Sequence, residues 1–255
     1  MYENQNQPMQ QNTPQPEFVQ SPVQEVDQSR MVAYLSRVFG WMFVGLLVTS
    51  VVAFATATSR SAMSLIFSSE YTFYGIFIAQ IGVALGFSVG LQKMNSAVAT
   101  ILFMLYSALT GVTFSVLFYA FEMNSLIFVF GLTSLIFAAM AIYGSVTKRD
   151  LTSIGRLAIF GLLGLIGANL LNVLLFKSSP ADMVITSIGV VVFIVLIAYD
   201  TQKIKNFYLF AVAERDADEH SDPINKIAIY GAFCLYLDFI NLFLKLLRLL
   251  GKRKN

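Results

Sequence analysis

The chain has 255 residues, of which 56% are hydrophobic and 13% charged, with a formal net charge of +2 and a mean hydropathy of +0.68. That apolar share is above, and that charge share below, what a soluble domain of this size carries, so lipid is the expected solvent. Its basic residues are scattered between apolar stretches rather than gathered in a patch, which excludes a nucleic-acid partner of the usual kind.

The first thirty residues, Met1 to Arg30, are rich in Gln, Asn and Pro and hold no Lys or Arg before Arg30. That composition predicts a disordered polar tail, residues 1–30, ahead of a membrane domain, residues 31–255. No basic start followed by a short apolar run and a cleavage site leads the chain, so the first apolar helix is expected to stay as an anchor.

Apolar runs long enough to cross about 30 Å of hydrocarbon then recur, predicting an all-α integral membrane protein of about seven transmembrane helices. The spans fall at about 33–57, 71–91, 96–120, 126–146, 155–176, 183–202 and 224–248, punctuated by polar and turn residues. In the second, Gly82, Gly86 and Gly90 repeat every four residues, and Gly161, Gly164 and Gly167 make a similar seam in the fifth. Both read as places where helix backbones approach closely. Gly86-Phe87-Ser88-Val89-Gly90 has the letters of a nucleophile elbow but lies inside an apolar span. The single histidine, His220, falls in the polar stretch from Lys203 to Pro223, read as a solvated loop. A Ser-His hydrolase and a His-based zinc site are therefore not expected, and with no phosphate-cradling loop either, the chain reads as a non-enzyme without a cofactor. The lone Cys234 allows no intrachain disulfide.

Orientation follows from the basic residues near span ends. The N-terminal side collects Arg30, Arg37, Lys93, Lys148, Arg149, Arg156, Lys203, Lys205, Arg215 and Lys226, against Arg60 and Lys177 in the opposite loops, which predicts a cytoplasmic N-terminus. The basic tail Lys245, Arg248, Lys252, Arg253 and Lys254 opposes this, because seven crossings put it outside. Either the six loops outvote the tail, or the last apolar segment re-enters and returns the C-terminus to the cytoplasm.

Two aspartates lie within apolar spans. Asp200 ends the sixth, in Ala198-Tyr199-Asp200-Thr201-Gln202-Lys203-Ile204, and Asp238 sits in the middle of the seventh. A carboxylate at the centre of a spanning helix costs about 2.5–3.5 kcal/mol, whereas one at the interface reaches water cheaply, so Asp238 carries the stronger functional signal. At 100° per residue, Gly231, Cys234, Asp238, Asn241, Lys245 and Arg248 form one stripe, expected to face protein or water, with Asn241 a supporting polar partner one turn from Asp238. For Asp200, an interfacial ion pair with Lys203 at i+3 is an alternative to any function.

These two motifs, together with Lys148-Arg149-Asp150-Leu151-Thr152-Ser153 and Thr110-Gly111-Val112-Thr113-Phe114, resemble the Bax-inhibitor family of membrane proteins from about residue 30 to the end. The resemblance implies six helices surrounding a central seventh. For bacterial members it implies a pH-sensitive calcium leak controlled by a pair of aspartates, which match Asp200 and Asp238. It also implies a basic latch on the sixth-helix aspartate at the end of the second helix, where this chain has Lys93 in place of an arginine and so lacks the bidentate fork. Where a relative carries an acidic residue in the second helix, Gln80 is the nearest polar side chain.

The expected function is thus a pH-sensitive calcium leak channel in which Asp200 and Asp238 share a proton or hold a cation weakly, calcium being the permeant ion. The competing readings are a regulator of a membrane protease or stress response acting through a membrane protein partner, and a proton-coupled transporter. The bacterial plasma (inner) membrane is the expected location, with lipid bilayer, calcium ions and protons as partners.

Overall fold

The computed structural model describes residues 28–90, 93–215 and 221–254, and among them the architecture is helical. The expected disordered tail falls almost wholly on residues outside this range. Its last three residues do not belong to it: helix α1 (Gln28–Thr58) begins before Arg30.

After α1 come a short α2 (Arg60–Phe67), α3 (Glu70–Gly90), α4 (Ser96–Phe114), a single turn α5 (Leu117–Ala120), α6 (Met123–Val146), α7 (Thr152–Leu171), α8 (Ser179–Arg215) and α9 (Asp222–Leu250). Six of these segments are long and apolar enough to cross a membrane, and Tyr74–Gly90 is a shorter apolar helix. Helices suit such a sequence because each backbone N–H and C=O is satisfied within its own segment, as hydrocarbon requires. At two of the breaks a side chain replaces a lost backbone partner. Ser59 Oγ accepts from the Ala62 amide to start α2, and Asn95 Oδ1 accepts from the Val98 amide at 2.9 Å to start α4. The third predicted span is interrupted at Ser115, and α7 ends in a π-helical turn, Asn172–Phe176, closed by Lys177 in the left-handed region (φ 46°).

Two expectations change. Helix α8 continues past Asp200 to Arg215, so most of the stretch read as a solvated loop is helix. Its 37 residues span about 55 Å, well beyond the hydrocarbon thickness. His220 and the acidic residues Asp216, Asp218 and Glu219 lie outside the described residues. Helix α9 is unbroken over 29 residues, with no turn at which a re-entrant segment would double back. The window of α9 is 67% buried, against 11–33% for the other long apolar helices, and α9 packs on α1, α4, α6 and α8.

Side-chain contacts sort the connections into two ends. At one, Arg37 donates to Asn225 Oδ1 (3.0 Å) and Asp222 accepts from the amide and hydroxyl of Ser96. At the other, Tyr119 donates to Ala57 O (2.7 Å), Arg248 pairs with Asp182, and Lys252 pairs with Glu122 at 2.9 Å. The C-terminal residues there run beside the α5–α6 connection, bridging Phe121 to Arg253.

Of the glycine seams expected from sequence, only one position faces another helix: a Cβ on Gly161 would lie 3.5 Å from Val192 of α8, whereas one on Gly82, Gly86, Gly164 or Gly167 would find nothing within 4 Å. Close approach occurs at Gly144 of α6, where a Cβ would run into the Ala198 carbonyl of α8, at Gly155 against the Tyr199 ring, and at Gly111 against the backbone of Thr49. Gly144→Ala is therefore expected to destabilise the fold by about 1–3 kcal/mol through overpacking. Gly131→Ala, which has nothing within 4 Å, serves as the neutral control, and thermal melting in detergent measures both.

Candidate functional site

The α8–α9 interface carries the two intramembrane aspartates and the ion pair of Arg248 with Asp182. These helices run antiparallel: Gly231 meets Ile204, Asp238 meets Asp200, Lys245 lies over Gly189 and Arg248 reaches Asp182. The predicted stripe of α9 thus lies along α8 for its whole length, which explains how a spanning helix tolerates so many polar groups.

Asp238 is only 6% exposed, while Asp200 is half-buried. Their carboxyls face one another as a side-chain pair. Among the described residues no N–H or hydroxyl donor reaches Asp238 Oδ2. Cys234, one turn before Asp238, faces both carboxyls and is hydrogen-bonded to the Tyr230 hydroxyl. No cluster of three His, Cys, Asp or Glu side chains forms among the described residues, so a cation arriving here meets two carboxyls and must complete its shell with water or carbonyl oxygens.

The ammonium beside the pair belongs to Lys203, one turn along α8 from Asp200. It is held between two rings of its own helix, 5.8 Å from the Tyr199 centroid and 5.6 Å from that of Phe207, a cation–π arrangement that keeps it near the carboxyls. Lys93 is exposed and forms no ion pair among the described residues. Asn241 is not drawn to Asp238 either: its Nδ2 donates to Leu237 O at 2.8 Å, one turn back on its own helix. Ser88, of the elbow-like pentapeptide, donates to Ala84 O within α3, with no strand-to-helix turn around it.

Residues that the sequence reading cited only for resemblance now have physical roles. The α6–α7 connection is fastened to α8 just beyond Asp200: Gln202 accepts from the Leu151 amide (2.9 Å) and donates to Arg149 O (2.8 Å), and Lys205 donates to Ser145 O (2.8 Å). On another face of α9, Tyr236 and Thr49 share a 2.7 Å hydrogen bond, Thr49 donates to Ser107 O (3.0 Å), and Gln80 donates to Thr110 and Thr113 (3.3 and 3.2 Å). This second buried polar cluster, joining α1, α3, α4 and α9, was not anticipated. Its traces in the sequence were Gln80 and the Thr110–Thr113 motif, polar residues on otherwise apolar helices.

The arrangement is that of a helical integral membrane protein with a carboxyl pair enclosed between its last two long helices. The model of the family described as "Inhibitor of apoptosis-promoting Bax1" matches residues 31–255, and the chain belongs to this Bax-inhibitor family. It is 43% identical over 221 residues to the inner membrane protein YbhL of Escherichia coli, covering 87% of this chain and 92% of that one. It is also 41% identical over 222 residues to a protein of Borreliella burgdorferi (87% and 93% covered) and 37% identical over 228 residues to one of Deinococcus radiodurans (89% and 93% covered).

Asp150, in the connection fastened to α8, accepts from the hydroxyl and the amide of Thr152, and these bonds, with Arg156 nearby, hold its carboxyl below the usual range. Because the folded value is lowered, the stabilisation is fully present above the ordinary Asp range and is lost as pH falls through the lowered value. Asp150→Ala is expected to accelerate hydrogen exchange of the Thr152 amide at neutral pH, and the wild type to show the same acceleration, relative to the intrinsic rate, only in acid.

Proposed function

We propose that the chain is a pH-sensitive cation leak, with calcium as the permeant ion, in which Asp200 and Asp238 form the gate. The carrying observation is the enclosure of two facing carboxyls between α8 and α9 with no neutral donor to satisfy Asp238 Oδ2. Two carboxylates this close do not both ionise without help, so either a proton bridges them or a cation does. Protonation favours the bridged, closed pair. Loss of the proton leaves two negative groups that repel each other and attract a cation, which biases α9 to shift along α8. A site of two carboxyls plus water binds calcium weakly, as conduction requires.

Lys203 tunes this balance by supplying positive charge next to Asp200. The latch implied for Lys93 belongs, in this scheme, to a state in which the end of α3 moves towards Asp200. Lys203→Met and Lys93→Met separate the two roles: the first is expected to shift the pH response, the second to matter only to the closed state.

The same reading places the chain in the bacterial inner membrane, in keeping with the name of its Escherichia coli relative. It has seven crossings, six helices surround α9, and the N-terminus is cytoplasmic. The sorting of contacts into two ends supports this parity, and the acids Asp182 and Glu122 pair with the basic C-terminal end that otherwise offends the charge rule. A reporter at the C-terminus that folds only outside the cytoplasm is expected to be active, and one that folds only inside to be silent.

The functional test is calcium flux into proteoliposomes of the purified chain between about pH 6 and 8, where perturbed carboxyls titrate. Wild type is expected to show pH-dependent flux, and Asp200→Asn or Asp238→Asn to abolish or flatten that dependence. If the wild type passes no calcium at any pH, the regulator of a membrane protease or stress response becomes the better reading.

A further inference from the structure

A crevice of about 250 Å³ lies between α1 and α6, floored by α9. Its floor is buried and apolar, with Leu46, Phe239 and Phe243, whereas its lips on α6, Ile127 and Phe130, are 64% and 42% exposed. The crevice therefore opens sideways, towards whatever surrounds the bundle. Along α6 it extends from Met123 to Phe130, about 10 Å at the helical rise. That shape suits a single hydrocarbon chain lying parallel to the helices, and in a membrane protein the surroundings supply one.

The crevice has a charged rim at one end only. Residues Leu117, Phe118 and Met123, at its end, belong to the stretch along which the C-terminal residues are laid. Glu122 N donates to Lys252 O, Lys254 N donates to Ala120 O, and the Lys254 ammonium donates to Phe118 O at 2.8 Å. Lys252 is matched by Glu122, but Arg253 and Lys254 are exposed and pair with no acidic side chain among the described residues. Two cations with no acidic side-chain partner among the described residues thus stand at the mouth of an apolar slot that runs into the membrane. An ammonium bound to a backbone carbonyl keeps two more N–H donors for an acceptor oxygen.

We propose that this crevice is a binding site for an anionic phospholipid, one acyl chain lying against Phe239 and Phe243 and the headgroup phosphate held by Arg253 and Lys254. Charge complementarity selects an anionic headgroup over a zwitterionic one, and the apolar floor selects a chain-bearing lipid over a free phosphate. The bound chain props α1 and α6 apart against α9, the helix that carries Asp238, so lipid composition acts on the same helix as the carboxyl pair.

Native mass spectrometry of the full chain in detergent, titrated with phosphatidylglycerol or phosphatidylcholine, tests this. Wild type is expected to retain phosphatidylglycerol over phosphatidylcholine by about tenfold or more, as two cations near one anionic headgroup imply. Replacing Arg253 and Lys254 together by Ala brings the two lipids level. Ser50→Trp, which fills the crevice from α1, reduces retention of both, and Ile127→Trp does so from α6 if the first variant does not fold. Equal retention of the two lipids by the wild type overturns the proposal. So does unchanged phosphatidylglycerol binding in a folded crevice-filling variant, which would leave only a surface patch of charge.

Discussion

The charged groups within the last two helices are organised by the antiparallel packing of α8 on α9. A spanning helix that carries Cys234, Asp238, Asn241, Lys245 and Arg248 on one stripe is unstable against lipid, because each charged group at mid-membrane costs kilocalories. Laying that stripe along α8 removes it from lipid and sets its two acid-matched groups against partners, Asp238 against Asp200 and Arg248 on Asp182, while the stem of Lys245 lies over Gly189. Closeness elsewhere serves this arrangement. Gly144 and Gly155 let α6 and α7 press on α8 at Ala198 and Tyr199, immediately before Asp200. The α6–α7 connection clamps Gln202 and Lys205 immediately after it. The sixth-helix aspartate is thus held from both sides, while its partner rides on the most enclosed helix.

In the proposed topology, the same packing accounts for the conflicting answer of the charge rule at the C-terminus. Counting Lys and Arg treats each cation as solvated, whereas Arg248 and Lys252 are paired with Asp182 and Glu122 at their own end of the bundle. Paired cations cross or stay outside more easily than free ones. Arg253 and Lys254 escape that pairing and are left for a ligand of opposite charge, which is where the crevice between α1 and α6 opens.

Much was legible beforehand. The apolar runs located α1, α3, α4, α6, α7, α8 and α9 to within a few residues at most ends, because hydrocarbon thickness imposes a minimum length that soluble sequences seldom show. The missed end of α8 has a physical reason: beyond Asp200 the helix leaves the apolar window, and Lys203, Lys205 and Asn206 look like loop residues to a hydropathy scan although they are good enough helix formers to continue it. Apart from Gly161, the glycine seams misled because spacing alone does not distinguish a face turned to lipid from one turned to a neighbour. Gly144 and Gly155, which do meet neighbours, stand in no repeat.

By itself, the sequence determined the apolar solvent and the helical class, which follow from composition, the family, which its motifs resemble, and Asp238 as an exception, since a carboxylate in hydrocarbon is expensive. Only the tertiary structure decided what those aspartates meet. That Asp238 faces Asp200, that Lys203 rather than Lys93 is the ammonium beside them, and that Asn241 bonds its own helix instead of Asp238 depend on the rotation and depth of α9 against α8. Those are set by the shapes of all the helices packed around it, which no stretch of the chain encodes alone.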